Sequence, residues 1–188
     1  MEEVLRFLGD HRPLSTPCLA DLARLTKFKK IRRGEIILRP GEIHRHLYFI
    51  KKGALHCYSD VGDKQVSNWF FWETHLAVSI SSFYHRRPSK QYIAALKNTE
   101  VYYITRDEYE YLCETHGEFA DIARRLLQDY LIIFHEYGEL LRGHSAEEKY
   151  KWVLANMPDI LDRISQKLVA PWMDMAPETL SRLRGRRR

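Results

Sequence analysis

Apolar positions change their period along the chain, and each change marks a different kind of element. Val4, Leu5 and Leu8, then Leu19, Leu22 and Leu25, recur at helical steps broken by Pro13 and Pro17. They predict short helices packed on the neighbouring β region. From about 28 to 105 the pattern becomes short apolar runs punctuated by glycine. Ile36-Ile37-Leu38 precedes Gly41, Leu47-Tyr48-Phe49-Ile50 precedes Gly53, and the run 55–58 leads to Val61-Gly62-Asp63. Turn residues at intervals of about 8–12 positions predict an antiparallel sandwich or roll. Further strands are expected at 66–71, 92–96 and 101–104, the first two flanking a segment rich in Ser, His and Arg.

Thr105-Arg106-Asp107-Glu108 reads as a helix start, after which the period is helical. Phe119, Leu126, Ile133 and Leu140 succeed one another at steps of seven, with Ile122, Tyr130 and Tyr137 between them. A buried helix of a monomer gives a similar stripe. A seam this long after a β region favours a helix that pairs with its copy in a second subunit. Beyond Gly143, Ser145-x-x-Glu148 has the form of a capping box opening a helix through Tyr150, Trp152, Val153 and Leu154, which Pro158 ends.

The stretch 165–184, SQKLVAPWMDMAPETLSRLR, predicts two short helices joined at Met175-Ala176. Ser165 caps the first, which carries Leu168, Val169 and Trp172, and Pro177 suits the first turn of the second. With Leu180 and Leu183 inward, Glu178, Thr179, Ser181, Arg182 and Arg184 face outward. That is the geometry of a helix-turn-helix.

Charge sharpens this reading. The 188 residues hold 30 Lys+Arg and 25 Asp+Glu, a net +5 with a pI near 9.1. Residues 163–188 alone hold seven basic residues and two acids, so all the excess lies in the last 26 positions. An arginine fork suits guanine, a carboxylate suits cytosine N4, and hydroxyls suit bases or phosphates. Arg186, Arg187 and Arg188 suit phosphate neutralisation. The plainer alternative is a solvated cationic helix end.

At 45% apolar and 29% charged residues the chain reads as globular. No apolar run reaches a bilayer span, and the acidic amino terminus does not fit a secretory signal, so a cytoplasmic protein is expected. Cys18, Cys57 and Cys113 fit neither a disulfide framework nor a metal motif. His44-x-His46 in a turn reads as solvated rather than as a metal pair. No catalytic constellation is legible, and no enzyme activity is expected.

The glycine pattern Gly34-Glu35, Gly41-Glu42, Tyr48 and Gly53, the order of β region and long helix, and the terminal Ala176-Pro177-Glu178-Thr179-Leu180-Ser181-Arg182 resemble the Crp/Fnr family of bacterial transcription regulators. The similarity runs from about 20 to 184 and is greatest to the short members common in Bacteroidetes. It implies an α+β fold: a jelly-roll-like double-stranded antiparallel β-helix (β-roll) flanked by helices, a long dimerisation helix and a small all-α helix-turn-helix domain. The corresponding divisions are a sensor at 1–117, a dimerisation helix at 118–142 and a DNA-binding domain at 143–188.

The implied partners are double-stranded DNA and a second copy of the chain, with RNA polymerase as a further candidate and no membrane. By position, the family's base-reading residues fall on Pro177, Glu178 and Arg182; with a proline at the first, specificity rests on the other two. Pro171 inside the first helix of the motif implies a kink or a shortening. The sequence ends at Arg188, which leaves no room for the family's β-hairpin wing.

The family's phosphate-binding cassette uses a glutamate for the ribose and an arginine for the cyclic phosphate. The matching stretch here is Phe71-Trp72-Glu73-Thr74 through Pro88-Ser89-Lys90, so Trp72, Glu73, Ser89 and Lys90 are the expected effector-binding residues. Glu73 stands in for the ribose acid, at a longer spacing than the cassette has, and Ser89 occupies the arginine's place. Losing that guanidinium removes a charge-assisted bidentate bond. The expected cofactor is therefore an unidentified small effector rather than cAMP or cGMP, with an empty or purely structural roll as the alternative. A second reading of the chain is a ligand-sensing or protein-binding roll whose tail does not read DNA.

Overall fold

The computed structural model describes residues 1–185. Two short helices open the chain, α1 (Glu2–His11) and α2 (Thr16–Leu25), burying Val4 and Leu8 from the first and Cys18 and Leu22 from the second. Ser15 caps α2 by accepting the Cys18 N–H, and Pro17 sits in the first turn, where an amide donor is not needed.

Eight strands come next among the described residues: β1 (Lys27–Ile31), β2 (Ile36–Leu38), β3 (His46–Lys52), β4 (Ala54–Val61), β5 (Lys64–Trp72), β6 (Leu76–Ala77), β7 (Tyr92–Ala95) and β8 (Thr99–Thr105). They form two four-stranded sheets, ordered β1-β8-β3-β6 and β2-β7-β4-β5, and the paired strands run antiparallel. This is the expected β-roll. Gly53 makes the β3–β4 corner possible. Its φ is +110°, and a Cβ there would lie 2.5 Å from Thr99 Oγ1 and 2.7 Å from Thr99 Cα. No side chain fits between the corner and β8.

A one-and-a-half-turn helix, α3 (Ile80–His85), interrupts the strands between β6 and β7. Beyond β8 come α4 (Arg106–Thr115), α5 (Gly117–Leu140), α6 (Ala146–Asn156), α7 (Ile160–Arg163), α8 (Gln166–Trp172) and α9 (Pro177–Gly185). The sequence-level start signals are realised as reciprocal capping boxes, Thr105 with Glu108 on α4 and Ser145 with Glu148 on α6. Pro171 lies next to last in α8, which is only seven residues long, so the helix accommodates it by shortening.

The core forms two clusters. One joins α1 and α2 to Phe49, Ile104, Leu112, Phe119 and Ile122. The other begins inside the roll with Leu55, Phe70 and Ile93 and continues without a break through Val153, Ile160, Val169 and Leu180. The C-terminal helices therefore share a core with the roll.

Trp172 makes that joint. It is 3% exposed, lies flat on Tyr137 with ring centroids 4.6 Å apart, and meets Trp69 and Phe70 edge-on at 5.4 and 5.6 Å. Its Nε1–H donates to the Asn68 carbonyl at 3.1 Å, and the Tyr137 hydroxyl donates to the Trp172 carbonyl at 2.5 Å.

This packing corrects the expected interface on α5. Phe119, Ile122 and Leu140 are 5%, 1% and 4% exposed within their own chain. Leu126 packs on the first cluster, and Ile133 and Tyr137 on the second. The Tyr130 hydroxyl donates to Leu76 O at 3.1 Å and accepts from Leu76 N–H at 3.2 Å. The seven-residue stripe is covered by the roll and by the C-terminal helices. Exposed apolar residues lie on another face of α5: Leu127, Leu131 and Ile132, at 42%, 67% and 55%.

Candidate functional site

A cavity of ≈ 380 Å³ opens at the side of the roll. Strands β4 and β5 supply Cys57, Asn68, Trp69 and Phe71, α3 supplies Ile80, Ser81, Tyr84 and His85, β7's approach supplies Gln91, and α5 closes one wall with Phe134. The volume falls in the range of about 300–1,000 Å³ usual for small-molecule sites. The alternation of β5 explains the wall: Trp69 and Phe71 face the cavity, while Phe70 between them turns toward His56 and Trp172.

Among the described residues the lining contains no Lys, Arg, Asp or Glu. Apart from His85, its polar side chains are uncharged hydroxyls, amides and a thiol. Asn68 Nδ2 donates to Ser59 Oγ at 2.7 Å, and Gln91 Oε1 accepts from Ser79 Oγ at 3.4 Å. Burial pushes the Cys57 thiol up to about 12, so it stays protonated. Such a wall can hold a neutral, largely apolar or planar molecule. A phosphate placed against Cys57, Asn68, Trp69 and Phe71 would lose hydration there without a guanidinium or ammonium to compensate it.

Four residues were expected to bind the effector, and the structure does not bring them together. Glu73 Oε1 accepts from Gly53 N–H at 2.8 Å, and Oε2 pairs with Arg163 at the end of α7. The acid expected at the ribose thus ties the C-terminal helices to the β3–β4 corner. Trp72, 6% exposed, belongs to the shared core. Lys90 is exposed. Ser89 is 4% exposed, and its hydroxyl donates to Gln91 O and accepts from Gln91 N–H, both at 3.0 Å. Glu73 and Ser89 share no hydrogen-bond partner, and neither lines the cavity.

The sequence reading missed a buried polar knot behind Ser89. His44 Nδ1 accepts the Ser79 N–H at 2.9 Å. Ser82 Oγ accepts the His44 N–H at 2.9 Å and donates to Arg87 O at 2.7 Å. His44 is 2% exposed, and burial pushes its pKa down to about 3, so the ring is neutral with its proton on Nε2. These bonds close the loop between α3 and β7, while the buried His44 Nε2 has no hydrogen-bond partner among the described residues. The long gap between Glu73 and Ser89 was the available signal that the segment had to be aligned later, near Ser79.

At the other end of the chain, α8 and α9 form the expected helix pair. Val169, Ala170 and Leu180 are fully buried between them and the core. The turn holds Asp174 at φ +51°, in the left-handed region, where the Lys149 ammonium meets its carboxylate at 3.1 Å. Glu178, Ser181 and Arg182 are exposed on α9, Thr179 and Arg184 are half-buried, and Arg184 pairs with Asp162 at 2.9 Å. Arg186, with Arg187 and Arg188, lies outside the described residues. Among the described residues no helix is long and apolar enough to cross a membrane.

Comparison with known proteins agrees with this arrangement. Residues 28–116 match the family described as "Cyclic nucleotide-binding domain". FixK2 from Bradyrhizobium japonicum superposes with a TM-score of 0.73 at 17% identity, over 86% of this chain and 84% of that one. The catabolite activator protein of Thermus thermophilus gives 0.58 at 18%, over 93% and 84%. CLP of Xanthomonas campestris, described as a c-di-GMP-responsive global regulator, gives 0.64 at 13%, over 92% and 91%. No curated protein sequence matches the chain. Residues 28–116 thus match the cyclic nucleotide-binding domain family, within a chain that has the fold of the Crp/Fnr regulators.

Proposed function

We propose that this protein is a homodimeric, sequence-specific DNA-binding regulator of the Crp/Fnr type, controlled by an effector that carries no phosphate charge. The observation that carries the DNA reading is the α8–α9 pair: Leu180 is fully buried while Glu178, Ser181 and Arg182 stand exposed on one helix. Arg182 and Glu178 are the base-reading groups, Thr179 and Ser181 serve bases or phosphates, and Arg186 adds phosphate contact. Arg184, tied to Asp162, positions α9.

The second copy pairs through the outer face of α5. Leu127, Leu131, Phe134 and Gly138 succeed one another at four- and three-residue steps, and the two leucines are well exposed. Phe134 also lines the cavity, its ring 4.3 Å from Trp69. A ligand that binds one setting of α5 better than another therefore biases the spacing of two recognition helices, which must meet successive major grooves about 34 Å apart.

Selection of bound duplexes from a random-sequence pool, followed by mobility-shift titration, tests the proposal. An enriched pseudo-palindrome is expected, with preference relaxed in Arg182→Ala/Glu178→Ala. No enrichment by the intact protein would favour the ligand-sensing module without DNA binding. For the effector, cAMP and cGMP are expected to leave the melting temperature unchanged, while neutral planar compounds raise it.

A further inference from the structure

Away from the cavity and the helix pair, one cluster gathers three ligand-bearing side chains of different chemistry. Cys18 lies in the first turn of α2, His116 at the junction of α4 and α5, and Glu118 in the first turn of α5. A sulfur, a ring nitrogen and a carboxylate oxygen lie within 4.8 Å of one another there. Cys18 is fully buried and His116 is 7% exposed.

The surroundings hold these groups in place. Asp21, one turn beyond Cys18, meets His116 Nε2 with Oδ2 at 3.0 Å, which leaves Nδ1 as the nitrogen available to an ion. A carboxylate on the far nitrogen of an imidazole is the usual arrangement that fixes the tautomer and raises the basicity of a ligating ring. The Ser15 hydroxyl accepts the Cys18 N–H at 3.4 Å and donates to Glu118 Oε1, so Oε2 takes no part in that bond. Neither the roll cavity nor the DNA-reading helices use any of these residues.

We infer that Cys18, His116 and Glu118 form a binding site for a borderline-soft divalent cation of the zinc type. Mixed sulfur, nitrogen and carboxylate donors select zinc over magnesium or calcium. Zinc bonds of about 2.0–2.3 Å place tetrahedral donors about 3.4–3.8 Å apart, so small side-chain rotations close the set. Water completes the tetrahedron. On binding, the Cys18 thiol releases its proton to solvent and ligates as thiolate. The ion joins α2 to the start of α5, the helix that also walls the cavity.

Cobalt(II) is the probe. The full chain, stripped with chelator, is titrated with Co²⁺ and then with Zn²⁺ against a chromophoric competitor. One equivalent of Co²⁺ is expected to produce tetrahedral d–d bands and a near-ultraviolet sulfur-to-cobalt charge-transfer band, both erased by Zn²⁺. Cys18→Ser is expected to abolish the charge-transfer band, while Cys113→Ser retains it. Asp21→Asn, which leaves all three ligands in place, is expected to keep the band and weaken affinity about 10–100-fold. Absence of the band in the intact protein, or its persistence in a folded Cys18→Ser variant, would overturn the site. An Asp21→Asn titration superimposable on that of the intact protein would remove His116 from it.

Discussion

Replacing Trp172 by alanine tests whether the roll and the C-terminal helices are held as one body. The indole is 3% exposed, lies 4.6 Å from Tyr137 face to face, and packs edge-on against Trp69 and Phe70. Removing a buried tryptophan of this kind costs about 3–5 kcal/mol through lost transfer energy and the cavity left behind. The Asn68 carbonyl loses its donor as well. A chain of this size loses about 2–4 °C of melting temperature per kcal/mol, so a drop of about 6–20 °C is expected by far-UV circular dichroism. Hydrogen exchange in α7, α8 and α9 should rise more than in β3 and β8, because the joint belongs to the former. Trp172→Phe keeps an aromatic ring against Tyr137 but loses the indole hydrogen bond, worth about 1 kcal/mol, and part of the buried ring volume, so a smaller drop than for alanine is expected. A Trp172→Ala protein within about 1 kcal/mol of the parent, with unchanged exchange in the C-terminal helices, would refute the idea of a shared core.

Gly53→Ala places a Cβ at φ +110° and 2.5 Å from Thr99 Oγ1, so a loss of about 3 kcal/mol or more is expected in urea unfolding. Acid should also destabilise the fold. Burial lowers the pKa of His44 to about 3 and of His56 and His75 to about 4, whereas the unfolded imidazole titrates near 6.5. Between these values the unfolded chain binds more protons. Stability is therefore full above pH 6.5 and falls on acidification, by about 2 kcal/mol per histidine at pH 5; a melting temperature flat from pH 7.5 to 4.5 would contradict this. Leu131→Glu, at a site 67% exposed, should convert a dimer to a monomer in sedimentation velocity without lowering the melting temperature of the protomer.

Much of the fold was legible because it rests on local rules. Both capping boxes, the helix pair around Met175-Ala176 and the glycine-marked corners can be read from short spacings. Strand β1 was not, since Lys27, Lys29 and Lys30 hide its pattern on an exposed edge and only Ile31 is buried. Helix α3 lay within the Ser-, His- and Arg-rich stretch. The stripe on α5 was visible, but periodicity does not say what covers a face, and here the chain covers it with its own roll. The cavity was illegible for a related reason. Cys57, Asn68 and Gln91 are neutral residues on different segments, and only the sheet register gathers them. Glu73 was singled out by type, and its partner Arg163 is ninety positions away in the chain.

The docking of α8 also bears on self-association through the sheet edge. Strand β5 is the last strand of its sheet, and Trp69-Phe70-Phe71-Trp72 is an uncharged aromatic run on that edge. An open edge of that composition is a template for pairing with another chain. Trp172 covers it and takes up the Asn68 carbonyl that would otherwise present itself to a foreign strand. Cutting the chain after α5 is expected to leave a self-associating fragment rather than a free-standing roll. The C-terminal helices thus guard the sheet against self-association, which ties the solubility of the roll to the presence of the helix pair proposed to read DNA.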